Sequence, residues 1–302
     1  MENKIQRSLG MFNMLGKLLY NKQAATVVNR YYDLKLRKLK SLIFVATTGR
    51  SGTLTLVDIF NQLENCVALH EPYPAMHDNI LHAAVYGNES AVEEFYKIRK
   101  SVNIRREAIG KEYYLEANHL FIKTFIEYAV EDFGDKIKVL HLVRNPTNVA
   151  NSIYALQDQP GTIEGNRWWL DYRAPTNLIS IADALDNDLE FKHPYYKALW
   201  YWFETESRVA AWQKKLPNIP FIFFKTESFN DTAKLATLFK QLDIPVPDNF
   251  VKNVVNLRSH ARSHQKKVPP LPDEQTQKML HNFISFLKDN QISIPESSGE
   301  YL

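Results

Sequence analysis

The chain is poor in cysteine, in net charge and in long apolar runs. Cys66 is the single cysteine among 302 residues, which excludes an intrachain disulfide and a cysteine zinc site and favours a reducing compartment. The net charge of +3 is too small for a general nucleic-acid-binding protein. No apolar run approaches the roughly 18 residues of a spanning helix, and the N-terminus lacks a good signal-peptide core. We therefore expect a cytoplasmic protein that does not bind nucleic acid.

Residues 11–40 mix apolar and basic side chains, which indicates a basic amphipathic helix. Such a helix either packs on a domain with a solvated basic face or makes weak contact with a membrane surface. We favour the first interpretation. The predicted organisation is an N-terminal helical extension over residues 1–40 and a single domain over residues 41–302.

Apolar strands alternate with helical stretches along the domain, the pattern of a doubly wound or three-layer α/β fold. The predicted strands are Leu42–Ala46, Cys66–Leu69, Tyr113–Leu115, Lys138–Val143 and Pro220–Phe224. The predicted helices are Leu54–Gln62, Ala91–Lys100, Leu120–Phe133, Val149–Leu156, Tyr195–Leu216 and Ala233–Leu242. Between them, residues 157–192 are irregular and predict an insertion or lid.

Residues 41–56, SLIFVATTGRSGTLTL, predict a buried strand, a tight turn and the start of a helix. Gly49 and Gly52 allow the backbone to turn sharply and approach a ligand, and Arg50 adds a permanent positive charge. Three hydroxyl side chains surround the start of the helix, those of Ser51, Thr53 and Thr55. Unpaired N–H groups at a helix N-terminus favour an anion, so the segment predicts a phosphate or sulfate cradle.

A second strand–turn–helix segment, LHLVRNPTNVANSIY, covers residues 140–154. Arg144 ends the strand, and Pro146 opens the helix, where its fixed φ suits the first turn. Arg144 can bind an oxyanion through two parallel N–H groups, and Ser152, on the helix face of Asn148, can add a hydroxyl donor. The segment predicts a second anion site, although a structural ion pair and helix packing would use the same residues.

The residue after Gly52 separates this loop from that of the nucleotide hydrolases. Their G-x-x-x-x-G-K-[ST] loop has a lysine there, whereas this chain has Thr53. No predicted strand ends in the aspartate that would hold magnesium. A P-loop nucleotide kinase or phosphotransferase is the alternative enzyme class, and a catalytically inert nucleotide-binding protein is a third hypothesis.

Together the two segments resemble the sulfotransferases that use 3′-phosphoadenosine-5′-phosphosulfate (PAPS). TTGRSGT at 47–53 resembles their 5′-phosphosulfate loop, closest to the Arg-Ser-Gly-Thr form of tyrosylprotein and bacterial sulfotransferases. R-N-P-x-x-x-x-x-S at 144–152 resembles their 3′-phosphate motif. The resemblance covers about residues 41–260. It implies a three-layer α/β/α fold with a central, mainly parallel sheet, the P-loop nucleotide-hydrolase-like sulfotransferase fold.

The resemblance also implies a set of cofactor-binding residues. Arg50 would lie beside the transferred sulfuryl group. The positions that would hold the two anionic groups of PAPS are Thr48, Gly49, Arg50, Ser51, Gly52, Thr53, Leu54, Arg144 and Ser152. Leu54 replaces a common second threonine, for which Thr55 would compensate. A basic stretch lies where many members close a loop over the cofactor, and it contains Arg258, Arg262, Lys266 and Lys267.

FFKTESF at 223–229 resembles the family's Tyr-Glu-Asp-Leu strand end. Thr226 stands in place of the tyrosine, which leaves the role of Glu227 open.

Sulfuryl transfer needs a base for the acceptor's proton. Glu71 follows the second predicted strand, 21 residues after Arg50, near where the tyrosylprotein enzymes have a catalytic glutamate. His70 has a more suitable unperturbed pKa, and since neighbouring strand residues point to opposite faces, only one of the two should face the site. We favour Glu71. Pairing with an arginine such as Arg144 is its structural alternative, and His119, after the third strand, is a third candidate.

The reaction needs no metal, and the sequence offers no convincing metal site. The expected acceptor carries a hydroxyl or amine, as a carbohydrate, lipid headgroup, peptide or small alcohol does. Five aromatic residues would either wall its pocket or form a core between lid and domain. They are Trp168, Trp169, Tyr172, Tyr195 and Tyr196.

Overall fold

Parallel strands form the centre of the molecule, in a computed structural model that describes residues 21–255, 257 and 266–301. The strands are β1 (Ser41–Ala46), β2 (Cys66–His70), β3 (Tyr113–Ala117), β4 (Ile137–Val143) and β5 (Phe221–Lys225). They lie in the order β2-β3-β1-β4-β5, and each neighbouring pair is parallel. Every boundary falls within two residues of its prediction. The short, strongly apolar runs therefore identified the strands correctly.

Helices occupy most of the remaining described chain. The α-helices are α1 (Lys22–Asp33), α2 (Thr53–Phe60), α3 (Asn79–Val85), α4 (Glu89–Phe95), α5 (Ser101–Glu107), α6 (Ile126–Phe133), α7 (Pro146–Leu156), α8 (Gly165–Trp168), α9 (Ala182–Asn187), α10 (Pro194–Lys215), α11 (Thr232–Gln241), α12 (Phe250–Val254) and α13 (Asp273–Asp289). π-helical turns cover Tyr96–Lys100 and Phe121–Phe125. Turns of 3₁₀ helix cover Gly134–Lys136, Thr226–Ser228 and Glu296–Glu300.

Helices cover both faces of the sheet. Ile43 and Val45 belong to the core that α2 and α11 complete, whereas Leu42 and Phe44 belong to a core on the opposite face. This alternation along β1 follows from the twofold repeat of a strand. The predicted three-layer α/β/α architecture is therefore confirmed.

The predicted lid region, residues 157–192, holds only the short helices α8 and α9. It packs with α7, α10 and α13 in a third core. The helix α13 is not among the predicted helices. Apolar residues at helical spacing bury one of its faces, including Met279, Leu280, Phe283 and Leu287. Because α13 helps to cover α7 and α10, it supports the helix that carries Ser152.

The described part of the N-terminal extension packs on the domain. In α1, Asn29 Nδ2 donates to Ser101 Oγ at 3.2 Å, and Asp33 pairs with Arg105 at 2.8 Å. Residues 1–20 lie outside the described part. Membrane-surface contact and the domain limits at 1–40 and 41–302 stay predictions. Within the described ranges, no helix is at once long and apolar enough to cross a membrane.

The sheet order places one crevice at the carboxyl end of β1. The chain continues to β2 and β3 on one side of β1 and to β4 and β5 on the other. In open parallel sheets ligands bind at such a switch point, beyond the carboxyl ends of the strands. The loops after β1, β2, β4 and β5 therefore meet at one site.

Candidate active site

The loop after β1 has an unusual backbone. Gly49, Arg50 and Gly52 have φ values of 81°, 55° and 74°, all in the left-handed region. Gly52 is the N-cap residue of α2, whose first N–H groups have no acceptor within the helix. Thr48 and Ser51 are buried, and both hydroxyls donate to the carbonyl of Gly49 at 2.8 Å. These hydroxyls hold the loop in shape and leave anion binding to the backbone.

Three main-chain carbonyls of this loop accept hydrogen bonds from other elements. The contacts are Tyr201 OH to Thr48 O (2.5 Å), Arg144 Nη1 to Arg50 O (2.7 Å) and Thr226 Oγ1 to Ser51 O (2.7 Å). In a trans peptide the C=O and the following N–H point in opposite directions. The N–H groups of Gly49, Ser51 and Gly52 therefore point away from these partners, as an anion cradle requires.

Both glycines of the loop also lie against neighbouring side chains. A Cβ at Gly52 would stand 3.0 Å from Thr226 Cγ2 and 3.1 Å from the ring of Phe229. A Cβ at Gly49 would stand 3.1 Å from the Trp169 ring. Positive φ and close packing both select glycine at these two positions.

The second anion segment begins as the sequence predicts. Pro146 is the first residue of α7, and Asn145 caps it by accepting from the N–H groups of Thr147 and Asn148. Trp202 Nε1, from α10, donates to the carbonyl of Arg144 at 2.9 Å. The backbone at Arg144 is thereby fixed, and its guanidinium is turned toward the first loop.

The two segments meet through a side-chain contact. Arg50 Nε donates to Ser152 Oγ at 2.9 Å, across a sequence separation of 102 residues. The Ser152 hydroxyl accepts in this contact, so its own proton remains for another acceptor. Within the described part of the chain, the terminal nitrogens of Arg50 and one terminal nitrogen of Arg144 likewise have no hydrogen-bond acceptor. The predicted sulfate and phosphate sites therefore adjoin each other.

Two partly buried arginines make this site electrostatically positive. Burial lowers the pKa of the Arg50 guanidinium, and the neighbouring Arg144 lowers it further. Burial also lowers the pKa of Arg144. Among the described residues, no carboxylate lies within ion-pair distance of either arginine; Asp158 and Glu71 attract Arg50 only at longer range. Two partly buried guanidinium groups without a carboxylate partner favour an anionic ligand.

Glu227 links the second segment to the end of the described chain. Its Oε1 accepts from the main-chain N–H of Asn145 at 3.0 Å, and its Oε2 accepts from Tyr301 OH at 3.1 Å. It also attracts Arg144 electrostatically. Glu227 therefore orients the turn at Arg144, a role that the departure at Thr226 had left open.

Both predicted bases lie at the carboxyl end of β2, but strand alternation does not separate them. The strand ends at His70, and Glu71 has a φ of 45°, so the alternation argument does not extend to it. His70 Nε2 lies 3.0 Å from Thr53 Oγ1 at the start of α2. The close partner of Glu71 is His119, with 3.2 Å between Oε1 and Nδ1, instead of the suggested Arg144.

Glu71 is a partly exposed carboxyl in a mixed electrostatic environment. Its side chain is 31% exposed. Burial raises the pKa of Glu71, while Lys123 and Arg50 act to lower it and Glu116 acts to raise it. A carboxyl whose pKa lies above its usual range is a stronger proton acceptor when ionised.

The two ring nitrogens of His119 have different surroundings. Nε2 lies 3.1 Å from the carbonyl of Trp168, whereas Nδ1 lies 3.2 Å from Glu71 Oε1 and makes no hydrogen bond among the described residues. The residue is 2% exposed, and burial holds the pKa of its imidazole well below the usual range. A buried imidazole that resists protonation is a poor proton acceptor, which argues against the third base candidate.

The strand end after β3 is structural. Glu116 pairs with Lys100 at 2.6 Å, and both side chains are fully buried. Tyr114 OH and Asn118 Nδ2 complete the hydrogen bonds of the carboxylate. Among the described residues, no group of three or more His, Cys, Asp or Glu side chains could hold a metal ion.

The structure reduces the predicted aromatic pocket wall to one residue. Four of the five predicted residues are 93% or more buried in the third core, as the alternative core interpretation predicts. They are Trp169, Tyr172, Tyr195 and Tyr196. Trp168 is partly exposed, and its ring centroid lies 4.4 Å from that of His77. Trp168 is thus the member that remains available to an acceptor.

The predicted basic loop falls largely outside the described residues. Arg258 and Arg262 lie there. Lys267 is described, and its main-chain N–H donates to the carbonyl of Ala155 at 2.8 Å. Residues 266–268 therefore run past the end of α7, and a cofactor role for Lys266 and Lys267 stays a prediction.

Sequence reasoning missed the residues that brace the site from a distance. Tyr201 and Trp202 on α10 hold the carbonyls of Thr48 and Arg144, and Lys123 donates to Tyr201 OH. Residues inside a long aromatic helix carry no local sign of such contacts. The polar atoms that Tyr201 and Trp202 carry within an apolar stretch are the one sequence feature that indicates such contacts.

Comparison with known proteins identifies the class. The family model described as "Sulfotransferase domain" matches residues 40–268, about three quarters of the chain. The chain belongs to this family and is a sulfotransferase, an enzyme that transfers a sulfuryl group. This result decides against the nucleotide kinase and the inert binding protein. A search of the curated proteins found no match.

Several solved sulfotransferase structures have some likeness to this chain. The sulfotransferase domain of the Synechococcus PCC 7002 olefin synthase is 14% identical, with 81% of this chain and 94% of that chain covered and a TM-score of 0.45. The Alicyclobacillus acidocaldarius sulfotransferase is 15% identical, with 83% and 96% covered and a TM-score of 0.43. A mouse sulfotransferase complexed with PAP is 14% identical, with 72% and 63% covered and a TM-score of 0.39. These likenesses are too low to add to the family match.

Proposed function

We propose that this sulfotransferase takes its sulfuryl group from PAPS and passes it to a hydroxyl group whose proton Glu71 accepts. The observation that carries the donor assignment is the contact between Arg50 Nε and Ser152 Oγ. It brings the predicted sulfate cradle next to the predicted phosphate site, and PAPS carries a phosphosulfate and a separate 3′-phosphate.

The residues present fit such a donor. The main-chain N–H groups of Gly49, Ser51 and Gly52 would hold the 5′-phosphosulfate, together with the terminal nitrogens of Arg50. The remaining nitrogen of Arg144 and the hydroxyl proton of Ser152 would hold the 3′-phosphate. Preorganised donors of this kind stabilise charge that develops on oxygen during group transfer. PAPS would supply the activated sulfuryl group.

Glu71 is favoured over His70 as the base by its surroundings. His70 Nε2 contacts Thr53 Oγ1 at the start of α2, whereas Glu71 lies in the field of Arg50 and Lys123. Burial raises the pKa of Glu71, which brings the carboxyl nearer to the pH at which a general base works best. Its partial exposure leaves an acceptor room to reach it.

The acceptor is proposed only by chemical class. A carbohydrate, a lipid headgroup, a peptide or a small alcohol carries the required hydroxyl. Trp168, partly exposed beside His77, would contact an apolar or ring-shaped part of it. A screen of these classes with labelled PAPS would identify the acceptor.

The donor assignment is tested by calorimetry with adenosine 3′,5′-bisphosphate (PAP), beside ATP with magnesium. We expect PAP to bind without magnesium, and we expect Arg144→Ala to weaken that binding at least tenfold. Arg106→Ala is the matched control, because Arg106 is an exposed arginine paired with its neighbour Glu107. Magnesium-dependent ATP binding without PAP binding would overturn the proposal.

A further inference from the structure

The lid segment and the proposed base are joined through one buried histidine. His119 Nε2 lies 3.1 Å from the carbonyl oxygen of Trp168, and His119 Nδ1 lies 3.2 Å from Glu71 Oε1. A carbonyl oxygen only accepts hydrogen bonds, so Nε2 must carry a proton for this contact to be favourable. In a neutral imidazole the other nitrogen then carries a lone pair.

That nitrogen lies beside the base and has no hydrogen-bond partner among the described residues. When Glu71 is ionised, the carboxylate and the Nδ1 lone pair are both electron-rich and lie 3.2 Å apart. When Glu71 is protonated, its O–H can point at Nδ1. The arrangement therefore favours the protonated carboxyl over the ionised one.

We propose that His119 is a positioning residue that makes Glu71 a stronger proton acceptor, and that the carbonyl of Trp168 in the lid fixes the imidazole tautomer that does so. This inference rests on the proposed role of Glu71. The acceptor's hydroxyl proton passes to Glu71 while the acceptor's oxygen forms a bond to sulfur. The bond between sulfur and the bridging oxygen of PAPS breaks at the same time, and PAP leaves with that oxygen. The proton on Glu71 later passes to solvent.

Other contacts hold the lid in the position that this device needs. Arg167 pairs with Asp78 at 2.7 Å, and the main-chain N–H of Asp78 donates to the carbonyl of Arg167 at 2.9 Å. The rings of His77 and Trp168 also pack together. These contacts hold the loop after Glu71 against the helix α8, on both sides of the Trp168 carbonyl.

Other charged groups act on the pair. Glu71 is influenced by Lys123 and Arg50, which favour its ionised form, and by Glu116, which opposes it. Burial is the largest influence that disfavours the protonated form of His119, and Lys123, His70 and His77 add to it. The imidazole therefore stays neutral, as the tautomer argument requires.

The first test is a ¹⁵N NMR titration of histidine-labelled protein saturated with PAP. We expect the Nε2 of His119 to be protonated and its Nδ1 shift to follow a single titration, that of Glu71. In Glu71→Gln that titration should vanish while the tautomer stays. A proton on Nδ1, or an Nδ1 titration that survives Glu71→Gln, would overturn the inference. This test changes no residue of the buried core.

The second test compares His119→Asn with His119→Gln in the pH dependence of PAPS turnover, with the acceptor from the screen or with water. Asparagine places an amide N–H near Nδ1, where it would stabilise ionised Glu71. In the pH profile of turnover, we expect the acid limb of His119→Asn to lie about one pH unit below that of the wild type, as one hydrogen bond to a charged group allows. The maximal turnover at high pH should also be lower. Glutamine keeps a donor for Trp168 and should shift the limb less.

Unchanged limbs in both variants, each melting and binding PAP as the wild type does, would reduce His119 to a structural residue. If PAP does not bind the wild-type enzyme, the proposed function itself fails. If PAP binds and the histidine results are negative, only this inference fails.

Discussion

The proposed donor half and the proposed acceptor half of the active site are built in different ways. In the donor half, residues 47–53 are held by hydrogen bonds from α10, from Arg144 and from Thr226. In the acceptor half, Glu71 contacts His119, and the lid reaches that histidine through one carbonyl. The shape of the donor half is therefore fixed by hydrogen bonds to its main-chain carbonyls, whereas the acceptor half depends on the charge state of a few groups.

This difference assigns a separate observable to each half. Changes in the donor half should alter the affinity for PAP. Changes in the acceptor half should alter turnover and its pH dependence and leave PAP affinity unchanged. A variant that moves both observables would break the comparison.

The largest effect is expected from Glu71→Gln, which removes the proposed base. General acid–base catalysis contributes about 10²–10⁴-fold, so turnover should fall by that factor. PAP affinity should stay as in the wild type, because Glu71 interacts with the donor loop only through the long-range electrostatic attraction of Arg50. Steady-state kinetics and calorimetry on the same preparation check this. A turnover loss below tenfold would make His70 the favoured candidate for the base.

The next effect is expected from Arg144→Ala. The substitution removes a donor to Arg50 O and the proposed contact with the 3′-phosphate. Since a hydrogen bond to a charged group contributes about 1.5–3 kcal/mol, PAP should bind about 10- to 150-fold more weakly. Calorimetry measures the change, with Arg106→Ala as control. Unchanged affinity would mean that the 3′-phosphate lies elsewhere.

Gly52→Ala should destabilise the fold. At a φ of 74°, an L-residue costs about 1–2 kcal/mol, and the added Cβ would also press on Thr226 Cγ2 at 3.0 Å. Gly110→Ala is the matched control, because its φ is 77° and nothing lies within 4 Å of its Cβ position. Chemical denaturation of both variants separates strain from crowding. Equal losses would show that packing behind the loop is unimportant.

Local sequence features predicted the donor half well. Gly49, Gly52, Pro146 and the apolar strands are features that a short window contains, and the structure places each where the sequence indicates. The resemblance to a known family then supplied the chemistry of the two segments.

The acceptor half was less predictable because it depends on long-range contacts. His119 and Glu71 are 48 residues apart, and the lid carbonyl that faces His119 belongs to Trp168, a further 49 residues on. The left-handed backbone at Glu71 ended the strand alternation that was used to choose between it and His70. The aromatic residues of the lid entered the core because their apolar area favours burial over service in a pocket.

Thr226→Val tests a brace that no local pattern revealed. The substitution keeps the side-chain shape and removes the donor to Ser51 O. A hydrogen bond of this kind contributes about 1 kcal/mol, so PAP affinity should fall about fivefold. Thr237→Val is the control, because the Thr237 hydroxyl bonds a carbonyl of its own helix on an exposed face. Loss of turnover with unchanged PAP affinity would contradict the division between the halves.

The smallest effect concerns the stability of Glu71→Gln. The pKa of Glu71 is raised in the folded protein, so folding favours its protonated form. That contribution is fully present below the usual carboxyl pKa of about 4.3 and is lost as pH rises through the folded value. The glutamine variant should therefore melt at a higher temperature than the wild type near pH 7 and at the same temperature near pH 4.

The difference should be modest, because the side chain is 31% exposed and water screens its charge. Glu94→Gln, an exposed glutamate, is the control and should not show this dependence. Melting curves across the pH range decide the matter. A variant less stable than the wild type near pH 7 would mean that ionised Glu71 holds the fold together. The acceptor half would then be stabilised by charge pairing, and the contrast with the hydrogen-bonded donor half would weaken.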